Sequence, residues 1–183
     1  MGPARGTALD EGNDVMADAR VPPGQELIRL VPALRNVSGQ PIEITKLRAV
    51  AGSGIPGVAQ IVQVSALPED SGFSARRYVT YPPVRREGGE CVRAGVRPGR
   101  GLTLEPNEGW SVLVWMRALE PGTATVAGFR VTYEKDGAPY EQEIQIDPEN
   151  RLVVAGDAPA VTPNRDERAC AHRTRVLPGA VTF

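Results

Sequence analysis

Short runs in which apolar and polar residues alternate dominate the middle of the chain. The residues 42–50 place Ile42 and Ile44 between polar neighbours, and residues 123–133 repeat this two-residue rhythm. Such a period is typical of a strand with one buried face. The pattern predicts strand segments at residues 26–35, 42–50, 58–67, 77–81, 102–109, 110–117, 123–133, 139–146 and 152–154.

Turn signals separate these segments. An Asn-, Gly- and Pro-containing stretch at 36–41 and a glycine-rich stretch at 52–57 each predict a reversal of the chain. Asp136-Gly137 predicts a tight hairpin, because both positions of such a turn need positive φ angles. Residues 82–101 form a long Pro-, Gly- and Arg-rich connection of the kind that is functional or mobile. No segment shows a convincing helical period.

These elements predict an all-β, immunoglobulin-like β-sandwich of about 7–9 strands with flexible N- and C-terminal tails. Residues 1–24 are polar and lack periodicity, which indicates a disordered leader or linker. The sandwich is expected at 25–154. Residues 155–183 are expected to be irregular, because prolines interrupt the few short apolar runs.

Two stretches carry a family resemblance. The first is an early strand, an Asn-containing turn and a following strand, in Leu34-Arg35-Asn36-Val37-Ser38-Gly39-Gln40-Pro41-Ile42-Glu43-Ile44. The second is a turn before a core strand, in Leu104-Glu105-Pro106-Asn107-Glu108-Gly109-Trp110-Ser111-Val112. The order resembles bacterial immunoglobulin-like modules found outside the membrane. The resemblance spans about residues 25–154 and implies a fold, with no binding residue carried over. The Cys–Trp–Cys spacing of antibody-type domains is missing, since Cys91 precedes both tryptophans.

The core should be built from residues that lie within the most apolar strand runs. The expected core residues are Leu30, Leu34, Ile44, Val112, Val114, Trp115, Phe129, Val131 and Ile144.

Composition removes several functional classes. Twenty glycines and 17 prolines argue against an all-helical protein. The net charge of −1 offers no basic field for nucleic acid. The apolar run from Val112 to Met116 is too short to cross a bilayer, so we expect no direct membrane insertion by this chain. The first twenty residues contain no secretory signal; an extracytoplasmic location would require a targeting segment outside this chain.

Two cysteines allow one disulfide. Cys91 and Cys170 both lie in segments poor in apolar residues, where a covalent link would add most order, so a Cys91–Cys170 bond is predicted. Such a bond fits an oxidising compartment. His172 is the single histidine and lies beside Cys170, but two or three ligands fall short of the usual four of structural zinc. No metal site and no cofactor are therefore predicted.

Exposed aromatic and arginine side chains are the most plausible recognition residues, because Tyr, Trp and Arg are enriched at binding hot spots. The candidate binding residues are Arg76, Arg77, Tyr78, Tyr81 and Trp110.

Three functional hypotheses follow. The first is a non-enzymatic extracytoplasmic module that binds a protein or a cell-surface polymer. The second is a carbohydrate-binding accessory module, which requires exposed aromatics on one sheet face. The third is a metal- or thiol-dependent enzyme, which requires Cys91, Cys170 and His172 to converge.

Overall fold

In the computed structural model, residues 2–10, 19–73, 77–79, 82–146 and 151–171 are described, and strands dominate these ranges. In chain order the strands are β1 (Ala4–Arg5), β2 (Leu9–Asp10), β3 (Ala19–Val21), β4 (Glu26–Asn36), β5 (Ile42–Ala51), β6 (Ala59–Pro68), β7 (Arg77–Tyr78), β8 (Val84–Glu87), β9 (Glu90–Arg93), β10 (Arg97–Pro98), β11 (Leu102–Leu104), β12 (Gly109–Ala118), β13 (Gly122–Lys135), β14 (Ala138–Gln145) and β15 (Arg151–Val154). A short 3₁₀ turn, Glu69–Ser71, follows β6, and one helix, α1 (Arg165–Ala171), follows β15. The predicted all-β class is confirmed.

Two sheets form a sandwich. The larger sheet has the order β1-β14-β13-β5-β11, and β15 with β3 joins the first residues of β13. The smaller sheet has the order β10-β6-β12-β4-β2, with β7 also paired to β4. β8 and β9 form a separate hairpin. Side chains from both sheets fill the space between them.

The hairpin between β13 and β14 is built as its sequence predicts. Asp136 has a φ of 53° and Gly137 a φ of 72°, so both central positions adopt the left-handed conformation that Asp and Gly tolerate best. The turn fixes the register of the two strands, which pair Lys135 with Ala138 and Phe129 with Ile144.

β12 is buried on both faces, which explains why its sequence is apolar almost without interruption. Val112, Val114 and Met116 point into the sandwich core. Leu113 faces the opposite way and, with Trp115, joins a second apolar cluster on the outer face of the smaller sheet. The segment between β6 and β10 covers this cluster, since it supplies side chains to it. The long connection predicted at 82–101 therefore contains the β8–β9 hairpin and serves as a cover.

Eight of the nine expected core residues are fully buried, as predicted. Trp115 is the exception. Its side chain is only partly buried and packs against the second cluster, because the alternation of β12 directs it away from the sandwich core.

The expected disordered leader at 1–24 is wrong for its described parts. β1 pairs with β14, and β3 pairs with β15. The backbone N–H of Ala8 donates to the buried hydroxyl of Tyr133 at 3.0 Å, and both backbone groups of Leu9 bond the side-chain amide of Gln142. These strands are only two or three residues long, so no local pattern could reveal them.

The expectation that residues 155–183 form an irregular segment without a helix is wrong at α1. The Asn164 side chain accepts hydrogen bonds from the backbone N–H groups of Asp166 and Glu167, while the Glu167 carboxylate accepts one from the N–H of Asn164. This reciprocal arrangement caps the helix. The same buried carboxylate accepts a bond from the N–H of Val79 at 2.8 Å, which fixes α1 against the cover of the smaller sheet.

The predicted disulfide is confirmed. Cys91 in β9 is bonded to Cys170 in α1, across a separation of 79 residues. Because Cys170 is buried and α1 packs on β8, the bond joins the C-terminal helix to the hairpin that covers the smaller sheet.

A buried asparagine organises the turn between β4 and β5. Asn36 is completely buried, and its side-chain amide donates to the carbonyl oxygens of Gln40 and Leu104. Its side-chain oxygen accepts from the backbone N–H and the hydroxyl of Ser38. Asn36 thus links the turn to β11, beyond the local turn role that its sequence position indicates.

Replacing Asn36 by Ala should lower the free energy of unfolding by about 2–4 kcal/mol, because the buried hydrogen bond to the Leu104 carbonyl oxygen is lost together with the bonds that Asn36 makes to Gln40 and Ser38. Urea denaturation measures the change. Ser38→Ala is the matched control, and it should cost less than about 1 kcal/mol because its hydroxyl is only half buried. Equal losses in the two variants would contradict a central role for Asn36.

Removal of the disulfide by the double change Cys91→Ser and Cys170→Ser should lower the free energy of unfolding by about 4–5 kcal/mol, the chain-entropy value for a loop of 79 residues. The bond itself is checked by intact-mass measurement with thiol alkylation. The denatured protein should take up no label before reduction and two labels after it. Two labels on the unreduced protein would contradict the bond.

Candidate functional site

Two of the sequence-predicted binding residues are buried. Tyr78 is 4% exposed and meets the ring of Phe73 edge-on, with 6.1 Å between ring centres. Trp110 is 7% exposed, and its indole N–H donates to the Glu108 carboxylate at 3.0 Å. The exposed aromatic face that the sequence suggested is therefore not formed by these two rings.

The remaining candidates contribute little to a described surface. Arg76 and Tyr81 lie outside the described residues. Arg77 is described through its backbone, which pairs with Arg29 of β4.

The sulfur atoms of Cys91 and Cys170 are occupied by their mutual bond. His172 lies outside the described residues. Across the described ranges, no group of three or more His, Cys, Asp or Glu side chains is placed to hold a metal ion. The convergence that thiol or metal chemistry would need is thus not seen in the described part of the chain.

The outer face of the larger sheet carries a different set of polar side chains. Phe129, Val131 and Tyr133 of β13 point into the core, so alternation turns Arg130 and Thr132 outward. This face lies on β5, β13 and β14, and in the described structure no second layer of strands covers it.

Register brings the polar residues of these three strands into rows. Arg130 lies between Arg48 of β5 and Glu143 of β14. Thr132 lies between Lys46 of β5 and Glu141 of β14. The rows place cations on the β5 side and carboxylates on the β14 side.

The charges are unequally neutralised. The Arg130 guanidinium donates to Glu143 at 3.0 Å and lies 3.9 Å from the Glu141 carboxylate. The hydrogen bond to Glu143, followed by the charges of Glu143 and Glu141, raises the pKa of Arg130 above its ordinary value. Within the described residues, Lys46 and Arg48 form no ion pair. We call Lys46, Arg48, Thr132 and Arg130 the cationic face.

The cationic face contains an open depression of about 300 Å³. The residues that line it are Lys46, Arg48, Ala49, Val50, Arg130, Thr132 and Glu141. A second depression of about 540 Å³ lies between the N-terminal segment and β14, and Glu141 lines both. Arginine and lysine side chains with a neighbouring hydroxyl can hold a carboxylate, sulfate or phosphate, because all of them donate hydrogen bonds to oxyanions.

Sequence reasoning missed this site because Arg48 and Arg130 are far apart in the chain. Clusters of adjacent arginines were the visible signal, whereas the cationic face is assembled by strand pairing. The available hint was the alternation of cations with apolar residues in Lys46-Leu47-Arg48 and Arg130-Val131. That hint places each residue on an outer face but leaves its cross-strand partner undetermined.

No protein family matches the chain, and no curated protein shows significant sequence similarity to it. None of the described helical segments is long and apolar enough to cross a membrane.

The Arg48→Gln variant should unfold at a higher urea concentration than the native protein. Arg48 lies directly opposite Arg130, and like charges at opposed strand positions are destabilising. Lys46→Gln is the control, because Lys46 lies opposite the uncharged Thr132. The stabilisation by Arg48→Gln should shrink in about 1 M salt, where screening extends to about 3 Å. Equal effects of the two variants at low salt would contradict this repulsion.

Proposed function

We propose that this protein is a non-enzymatic, extracytoplasmic binding module that docks an acidic protein or an acidic cell-surface polymer on the cationic face. The observation that carries the proposal is the pair Lys46 and Arg48, which line an open depression without ion-pair partners in the described structure.

The placement of charge on this face supports binding. Arg48 lies opposite Arg130 in the strand register, so two cationic residues occupy neighbouring positions on the outer face. An oxyanion bound beside them would accept hydrogen bonds from a guanidinium group. Glu141 and Glu143 neutralise Arg130 from one side only, which leaves the β5 side for a ligand.

The disulfide supports the extracytoplasmic part of the proposal. Thiols are kept reduced in the cytosol, and structural disulfides persist in oxidising compartments. The Cys91–Cys170 bond links helix α1 to the β8–β9 hairpin, as a structural disulfide does.

Acidic ligands fit this surface better than neutral sugars. Sugar stacking requires exposed aromatic rings, and Tyr78 and Trp110 are both buried. An acidic polysaccharide could bind through its carboxylates without such rings, so it remains within the proposed class of partners.

Binding is tested by titrating the native protein with poly-L-glutamate, with a polyuronate, and with neutral dextran. The two acidic polymers should bind and the dextran should not, and added salt should weaken binding through screening. The double change Lys46→Gln and Arg48→Gln should weaken binding about 5- to 30-fold, since each exposed charge pair contributes up to about 1 kcal/mol.

The matched control is the double change Arg93→Gln and Arg97→Gln. It removes the same charge from two exposed positions outside the cationic face. Equal weakening by both double variants would mean that overall charge governs binding, and it would refute the assignment to this face. Binding of dextran as tightly as the acidic polymers would refute the acidic partner.

A further inference from the structure

The edge of the larger sheet beside the cationic face is only partly covered. β5 pairs with β13 on one side along almost its whole length. On the other side, β11 pairs only with Ile42–Ile44, and the Gly101 N–H extends this pairing with a bond to the Ile44 carbonyl at 2.7 Å. Gly99 then fills the space beside Leu47, where even an added Cβ would lie 2.8 Å from the Leu47 Cβ.

From Arg48 to Ala51, the side of β5 away from β13 is not covered in this way. In the described ranges, no strand pairs with this stretch on the side away from β13. Backbone groups of a strand that face an open edge are available to pair with another extended chain. We call residues 48–51 the open edge.

The charges around the open edge select its partner. Arg48 belongs to it, and Lys46 and Arg130 lie on the same sheet face. Two copies of this edge would bring like charges together, which disfavours self-pairing. An extended chain with carboxylates on alternate residues would instead meet Lys46 and Arg48.

We infer that the partner contains an extended acidic peptide segment, which adds as a strand to the open edge beside β11. The inference rests on the proposed function and selects a peptide over a polysaccharide. Main-chain hydrogen bonds to residues 48–51 supply a ladder that a polymer without amide groups cannot form. Because side chains alternate along a strand, every second residue of the peptide lies over the outer face, where its carboxylates meet Lys46 and Arg48.

The test uses a synthetic peptide of about seven residues in which valine and glutamate alternate. Its matched control has the same sequence with N-methylated backbone amides, which retain the charges and lose the donors. The unmodified peptide should bind at least about tenfold more tightly than the methylated one. Hydrogen exchange should show slower exchange of amides within residues 48–51 only with the unmodified peptide.

A pair of protein variants locates the edge. Ala51→Glu places a negative charge at the exposed end of the open edge and should weaken peptide binding. Val37→Glu makes the same charge change at another exposed site and should leave binding unchanged. Circular dichroism confirms that both variants are folded.

The outcomes separate this inference from the proposed function. Equal affinity for the two peptides, or no added protection at residues 48–51, would overturn strand addition and leave an electrostatic site. Binding of the polyuronate without binding of the alternating peptide would overturn the peptide partner alone. Failure of every acidic probe to bind would overturn the proposed function as well.

Discussion

Burial of β12 on both of its faces is the constraint from which the architecture follows. Val112 and Val114 complete the sandwich core, while Leu113 contributes to an apolar surface on the outer face of the smaller sheet. That surface needs a cover, since apolar area left in water costs about 25 cal/mol per Å². The chain between β6 and β10 supplies the cover, and the disulfide with the Glu167 hydrogen bond fastens the C-terminal helix to it.

Because the smaller sheet is covered, the outer face of the larger sheet is the more accessible of the two outer faces. Its outer face is polar because β5, β13 and β14 alternate, so no covering layer is required to bury apolar side chains. The cationic face and the open edge meet at Arg48. The proposed partner would therefore contact Arg48 in two ways, through the charge of the Arg48 side chain and through the Arg48 backbone.

Under the proposed function, the charges on this face place stability and binding in opposition. Arg130 is paired with carboxylates of β14, but Arg48 opposes it on β5. A sequence selected only for stability would place a neutral or acidic residue at position 48. Retaining a cation there is consistent with binding of an anion.

The sequence by itself determined the β class, most of the long strands, the Asp136-Gly137 turn and the cysteine pairing. These features depend on local periodicity, on backbone preferences of single residues, or on there being only two cysteines. The Asn164 and Glu167 spacing could also have revealed α1, although seven residues are too few for a helical period to stand out. Tertiary structure alone decided three features: the pairing of the short N-terminal strands, the burial of Tyr78 and Trp110, and the cross-strand position of Arg48 opposite Arg130. Each depends on strand register and on which face a neighbouring segment covers, and those contacts join residues that are distant in the chain.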